Sequence, residues 1–220
     1  SGRGTIKLAS DEFPGGDASA FNASDGGTVE YVDQSPAADY ELISDRTFNN
    51  LVINSATNTV VLKADYTLNG DLTVRSGTLQ INDNTTDAFA DNTTPLNLLI
   101  NGDITVDASG AITVGNVDAS NLVSGSGGIF TFHEIELLGD FTNNGTVDFE
   151  NLSGTSISDG RYRDKYPTAA DADNNTGSAD IPSTEYGAVE VLLTNGSEDQ
   201  LVTLNGPTDF YRIEVDKGTS

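Results

Sequence analysis

Short apolar rows recur along this chain with a period of two. Leu72 and Val74, Leu79 and Ile81, Ile104 and Val106, and Ile112 and Val114 alternate with Thr, Asp, Gln and small residues. That period is a strand signature, with one row turned toward a core and the other toward solvent. No stretch places apolar residues at i, i+3, i+4 and i+7 over three turns. The pattern therefore predicts an all-β chain.

The strands repeat as units. Asn69-Gly70-Asp71-Leu72-Thr73-Val74 returns as Asn101-Gly102-Asp103-Ile104-Thr105-Val106, and more loosely as Leu138-Gly139-Asp140-Phe141-Thr142-Asn143. Each unit is followed by a second short strand after a glycine: Gly77 to Ile81, Gly110 to Val114 and Gly145 to Phe149. Two architectures fit. Asn-Gly pairs start at 69, 101, 144, 195 and 205, and Asn-Gly is the commonest two-residue hairpin turn of a β-sandwich. Strands of one sequence type, however, recur 32 and 37 residues apart, from Asp71 to Asp103 to Asp140. Stacking of equivalent strands in a parallel β-solenoid explains that likeness, and Asn and Gly suit its corners. The solenoid is the preferred reading and the sandwich the alternative. The inward rows are expected to include Leu51, Ile53, Leu72, Val74, Leu79, Ile81, Ile104, Val106, Ile112, Val114, Val147 and Phe149, with Asp71 and Asp103 at equivalent corners.

A longer period overlies this one. Gly27 to Tyr31 resembles Gly187 to Val191, and Phe48 to Ile53 resembles Phe210 to Val215, both about 160 residues apart. The sequence thus divides into a tail or linker over 1–20, a module over 21–186, and the start of a second module over 187–220. Polar stretches at 83–95, 116–128 and 151–182 read as insertions, which in solenoids emerge at corners and often carry binding. Neither end shows an obvious polar cap, so the array is expected to continue. The opening Ser1-Gly2-Arg3, without Met or leader, reads as a processed or excised chain.

Composition narrows the function. The 220 residues include no Cys and one His, with 10 Lys+Arg against 34 Asp+Glu and a formal charge of -24. There are no disulfides, thiolate nucleophiles or histidine clusters for a metal. Nucleic acid is an unsuited partner for so negative a field, and no run of about 18 apolar residues offers a membrane span. The acidity reads first as a solvated surface in an extracellular medium and second as calcium binding. Disorder is rejected because the apolar residues are strongly patterned.

The order of signals resembles the repetitive solenoid regions of very large secreted surface proteins of Bacteroidota. The matching segments are Gly27 to Tyr31, Phe48 to Ile53, Asn69 to Val74 and Ser76 to Leu79. The resemblance covers about residues 21–150 and 187–215, and the insertion at 151–182 departs from it. It implies a right-handed parallel β-helix, export by type IX secretion, and an adhesin-like stalk or filament at the cell surface, serving gliding in some members. It implies no catalytic residue.

Three places invite chemistry. Asp171, Asp173 and Asn175 have the alternate spacing that starts a calcium loop, but Gly177 and Pro182 do not complete an EF-hand. A looser calcium site closed by Asp180 or Glu185 competes with a solvated acidic loop. Arg161, Tyr162, Arg163 and Tyr166 form a basic, aromatic island. Local ion pairing is the preferred reading of it, and contact with an anionic glycan the rival. His133 falls opposite Phe130 and Phe132 in the alternation and reads as a surface residue. An enzyme is the main rival class, since β-helices host polysaccharide-active enzymes. Among 34 carboxylates, however, pairs are unavoidable and uninformative. Arg75, Lys63 and the 161–165 island are the nominees for a lyase base. A non-catalytic segment of a surface protein is expected, with neighbouring modules as partners, surface glycans as ligands and calcium as its one candidate cofactor.

Overall fold

The computed structural model describes residues 3–11, 13, 15, 18–42, 46–82, 96–115, 133–152 and 186–217. The first strand, β1 (Thr5–Leu8), is followed by a four-residue helix, α1 (Ser19–Asn22). Next come β2 (Thr28–Val32), β3 (Tyr40–Leu42) and β4 (Arg46–Phe48), then β5 (Asn50–Leu62) and β6 (Tyr66–Leu68). β7 (Leu72–Ile81) leads to β8 (Asn97–Ile100), and β9 (Ile104–Val114) to β10 (His133–Leu137). β11 (Phe141–Asn143), β12 (Thr146–Asp148), β13 (Glu150–Leu152) and β14 (Tyr186–Leu193) follow. The last three are β15 (Val202–Leu204), β16 (Thr208–Asp209) and β17 (Arg212–Val215).

The chain is all-β, built from two long sheets of parallel strands, an arrangement consistent with a parallel β-helix. Pairing sorts the strands into three columns. The first holds β1, β2, the leading halves of β5, β7 and β9, then β11 and β15. The second holds β3, the trailing halves of β5, β7 and β9, then β12 and β16. The third holds β4, β6, β8, β10, β14 and β17. From β2 onward the chain visits first, second and third columns in the same order, so one strand of each makes a rung. Only β13 with β14 pairs antiparallel among the described residues.

Among the described residues the Asn-Gly pairs form no antiparallel hairpin. Leu72–Val74 and Leu79–Ile81 lie on one strand, β7, bent where Gly77 has φ +79 and a register shift follows Val74. Both halves run parallel to β5 and β9. All twelve residues expected inward are buried, and residues from all three columns join one hydrophobic cluster. At roughly 1.5–3 kcal/mol for each fully buried aliphatic or aromatic side chain, these rows are the main force holding the rungs together.

The Asn-Gly-Asp repeat has a specific cause. Asp71 Oδ1 accepts the backbone N–H of Asp103 at 2.9 Å, and Asp103 Oδ1 accepts that of Asp140 at 2.8 Å. Asn50 Oδ1 begins the series by accepting from Asp71 N, and Asp140 Oδ1 ends it by accepting from Leu201 N. Each corner thus satisfies the amide of the next rung, and the bonds accepted by Asp71, Asp103 and Asp140 are charge-assisted. The preceding glycine is required by that bond. A Cβ at Gly102 would stand 2.3 Å from Asp71 Oδ1 and 2.7 Å from Gly70 O. Asp71 and Asp103 therefore occupy equivalent corners on successive rungs, as the repeat predicts.

Two boundaries differ from expectation. Thr5–Leu8, inside the supposed tail, pairs with β2, and Ile6 and Leu8 extend the inward rows of Val29 and Tyr31. The neighbouring Phe13-Pro14-Gly15-Gly16 hides this strand in the sequence. The segments matched about 160 residues apart are not equivalent: Thr28–Val32 belongs to the first column and Tyr186–Leu193 to the third. Residues from Gly187 onward add rungs to the same stack. Short apolar strands are alike enough to match across columns. The stretches 83–95, 116–128 and nearly all of 151–182 lie outside the described residues. Their flanks show that the connections β7 to β8 and β9 to β10 run between the second column and the third, whereas β13 and β14 are neighbours in the third column's sheet.

Candidate functional site

The two ends of the stack are built differently. At the first end, Asp11, Phe13 and α1 lie over β3 and β4. Phe13 packs its ring 6.1 Å from that of Phe48, Arg46 sits 5.1 Å over Phe13, and Asp11 Oδ1 accepts from Glu41 N. Phe21, from α1, packs on the core as well. That end therefore has a cover, contrary to the expectation of two uncapped ends. Its signal was faint: two aromatics, without strand period, around a Pro-Gly turn.

At the last end β15, β16 and β17 each pair on one side only among the described residues. The exposed large hydrophobic residues of the described chain are Leu201, Leu204, Ile213 and Val215, at 63%, 48%, 43% and 60% exposure. Three of them continue inward rows. Ile213 follows Ile135 and Val191, Val215 follows Leu137 and Leu193, and Leu204 follows Asn143. Their predecessors are buried, and among the described residues no strand pairs beyond β15 or β17. Phe210 reaches back onto Phe141 and Phe149, at 5.5 and 5.8 Å between ring centres, and is half-buried against the core. Asn143 is buried in an otherwise apolar row. Its Nδ2 donates to Pro207 O at 2.9 Å and Thr208 Oγ1 at 2.8 Å, while its Oδ1 accepts from Gly145 N. The corner of the last rung is fixed by that clamp.

Beside this end the outward face of the third column is acidic. Glu134, Glu190 and Arg212 share one row, and Glu136 and Glu214 the next but one. Arg212 Nε lies 2.8 Å from Glu190 Oε1. Burial pushes the Glu190 carboxyl above its ordinary range and the nearby Glu214 and Glu134 add to this, while Arg212 opposes it. Glu134 is also raised, by burial and then by Glu136 and Glu214.

The residues nominated from sequence fall out as follows. Asp171, Asp173, Asn175 and Asp180, and Arg161, Tyr162, Arg163 and Tyr166, lie outside the described residues. Among the described residues no group of three or more His, Asp or Glu is placed to hold a metal ion. Arg75 lies 3.7 Å from Glu30 and Lys63 lies 3.8 Å from Glu41. His133 is not a surface residue: it is fully buried. The inward row of β10 is His133, Ile135 and Leu137, the phase opposite to the one Phe130 and Phe132 suggested. Its Nδ1 accepts from Leu96 N at 3.0 Å, which puts the proton on Nε2, and among the described residues Nε2 has no hydrogen-bond partner. Burial lowers its pKa to about 4, so the ring is neutral at pH 7.

Among the described residues the arrangement presents strand edges paired on one side, aligned apolar rows and an acidic flank. Only the restart at Phe210 to Val215 marked that surface in the sequence, since exposure depends on what stacks above. No protein-family model, curated protein or solved structure matches the chain. Among the described residues no helix is long and apolar enough to cross a membrane.

Proposed function

We propose that the three columns wrap into one right-handed parallel β-helix, and that the chain serves as a non-catalytic, structural and adhesive segment of a large extracellular surface protein or filament. The observation that carries this reading is the repeated register. One outward row runs Lys7, Glu30, Val52, Thr73, Thr105, Thr142, Thr203 through seven successive strands. Parallel sheets ordinarily need helices over both faces. Here the described helix has four residues, and strands such as β10 alternate buried and half-buried positions. Winding the columns around one core supplies the missing cover without helices. Such a stack adds length by adding rungs, as repeat arrays do. The connections β7 to β8 and β9 to β10 share one edge, where contact with glycans or neighbouring modules would concentrate. Calcium held by Asp171, Asp173, Asn175 and Asp180, and a glycan on Arg161, Tyr162, Arg163 and Tyr166, belong to this reading, both on the β13–β14 connection.

The test is surface labelling. Antibodies raised against the purified chain should label intact cells of its source, and external protease should remove the label. Labelling only after lysis, or turnover of an acidic polysaccharide by the purified chain, would overturn the reading.

A further inference from the structure

We propose that Asn195-Gly196 is a site of spontaneous covalent modification, at which the asparagine cyclises onto the glycine nitrogen, loses ammonia and is converted by water to aspartate and isoaspartate. This goes beyond the surface-protein reading, which names no covalent chemistry.

Asn-Gly is open to this reaction because glycine has no side chain to hinder its nitrogen. The chain has five such pairs, and all five are described. Four of them are held. Gly70 N donates to Asn49 O at 2.8 Å and Gly102 N to Gly70 O at 3.0 Å. Gly145 N donates to Asn143 Oδ1 at 2.9 Å, and Gly206 N to Asn143 O at 3.1 Å. Each of these nitrogens must leave its bond before it can attack, and each glycine is buried or half-buried. Gly196 is exposed, and among the described residues its N–H has no partner.

A local insertion is the cause. Gly102 N and Gly139 N each bond the glycine carbonyl of the preceding rung, Gly70 O and Gly102 O. The next acceptor in that series, Gly139 O, is taken by Gln200 Nε2 at 2.8 Å. Register pairs Leu193 with Leu137 and Val202 with Phe141, so residues 194–201 span what Leu138, Gly139 and Asp140 span one rung earlier. The extra residues bulge from the corner and carry Gly196 out of the ladder.

The carbon under attack is activated as well. Asn195 Oδ1 accepts from Ser197 N at 3.0 Å, Ser197 Oγ at 2.9 Å and Glu198 N at 3.2 Å. As Gly196 N adds to Cγ, this oxygen gains negative charge, and donors already aimed at it stabilise that charge. Among the described residues the only other Asn-Gly side-chain oxygen with a donor is Asn144 Oδ1, which accepts from Asn205 Nδ2 at 2.8 Å.

The step balances with water as its one co-reactant. The bond from Gly196 N to Cγ forms, the Cγ–Nδ2 bond breaks, and Nδ2 leaves as ammonia with the proton that Gly196 N gives up. Water then opens the cyclic imide at either carbonyl, giving aspartate or isoaspartate. Asn195 Nδ2 donates to Leu138 O at 2.9 Å, so the corner loses that tie and the chain gains a negative charge.

The test is mass spectrometry of proteolytic peptides. The purified chain is kept folded at mildly alkaline pH and sampled over weeks, beside the same chain in denaturing urea. In urea all five pairs should lose their amides at similar rates, because only the local sequence then acts. In the folded chain Asn195 should react at least about fivefold faster than the other four, whose glycine amides are hydrogen-bonded. Ser197→Ala should slow the reaction at Asn195 several-fold by removing one Oδ1 donor, and Gly196→Ala should nearly abolish it, both with unchanged circular dichroism. Loss of amide at Asn69, Asn101, Asn144 or Asn205 as fast as at Asn195 in the folded chain would overturn the proposal. So would a slower reaction at Asn195 folded than in urea, which would mean that its hydrogen bonds lock the side chain instead of activating it. Neither result bears on surface labelling of cells, so this proposal and the surface-protein reading fail separately.

Discussion

The first and last rungs carry the same strand rows and differ in what lies over them. At the first, Phe13, Phe21 and Asp11 come from a segment that is not itself periodic, and they cover β3 and β4. At the last, Leu204, Ile213 and Val215 stand in the same kind of position and are exposed. Bare parallel edges are an aggregation hazard that repeat proteins ordinarily manage with a capping segment of distinct sequence. The difference teaches that the rung pattern specifies the interior of the stack and leaves its ends open. A separate solution is needed at each end, and the described chain shows one solution only.

The comparison breaks most sharply in the core rows. Phe48 is fully buried beneath the cover, stacked at 6.0 Å on Tyr66. Phe48→Ala should cost about 3–5 kcal/mol, read as a lower midpoint in urea unfolding of the monomer. Val215→Ala, at the equivalent place in its row, should change stability by no more than about 0.5 kcal/mol. Equal losses at the two sites would mean that the last rung is covered in solution.

Between the ends, acid should act through His133. Its pKa is about 4 in the folded chain against 6.5 ordinarily, so the folded state binds fewer protons than the unfolded one. Stability is then complete above pH 6.5 and falls as pH drops toward 4, by about 3 kcal/mol in all. His133→Leu should remove this slope from a series of unfolding curves between pH 7 and pH 4. A slope unchanged in the variant would assign the acid sensitivity to the carboxylates.

Much of the interior was legible in the sequence because its causes are local. Leu72, Val74, Ile104 and Val106 alternate visibly, and the Gly-Asp corner repeats since each Asp must meet the amide of the next rung. The third column was harder. β4 and β6 are three residues long, too short for alternation to show, and in β10 the choice of inward phase between Phe132 and His133 rests on packing that no period encodes. The ends were hardest. Phe13 has no strand period to mark it, and the exposure of Ile213 depends on the absence of a neighbour. Likeness across columns also produced a false long period, because Thr28–Val32 and Val189–Leu193 are both plain apolar strands.

Glycine corners give a finer test. Gly102→Ala would place its Cβ against Asp71 Oδ1 and the Gly70 backbone, and the clash should cost about 1–3 kcal/mol. Gly196, beside the open end, would meet Lys217 O at 2.9 Å and nothing else closer than 3.5 Å. Its replacement by Ala should cost less, because the Cβ would meet one backbone oxygen at 2.9 Å where the Gly102 Cβ would meet three atoms at 2.3–2.7 Å. Thermal unfolding of the two variants side by side measures the ratio.

The smallest expected effect concerns two glutamates of equal burial. Glu30, near the covered end, and Glu190, near the open one, are both 5% exposed. Burial raises the pKa of each. At Glu30 a hydrogen bond from Asn54 Nδ2 at 2.7 Å and the nearby Lys7 and Arg75 outweigh it, and the carboxyl ends below the ordinary 4.5. At Glu190 the Arg212 guanidinium does not offset burial together with Glu214 and Glu134, and the carboxyl ends above 4.5. The signs follow. The charge on Glu30 contributes stability that is present above pH 4.5 and is lost as pH falls through its lowered folded value. The charge on Glu190 costs stability, and that cost grows as pH rises from 4.5 through its raised folded value. At pH 7 Glu30→Gln should therefore destabilise by about 1 kcal/mol, while Glu190→Gln should be neutral or stabilising by about 0.5 kcal/mol. At pH 3 both differences should shrink, since the native carboxyls are then protonating. Loss of stability at pH 7 in both variants alike would show that Arg212 holds Glu190 as firmly as Lys7 and Arg75 hold Glu30, and the electrostatic contrast between the two ends would disappear.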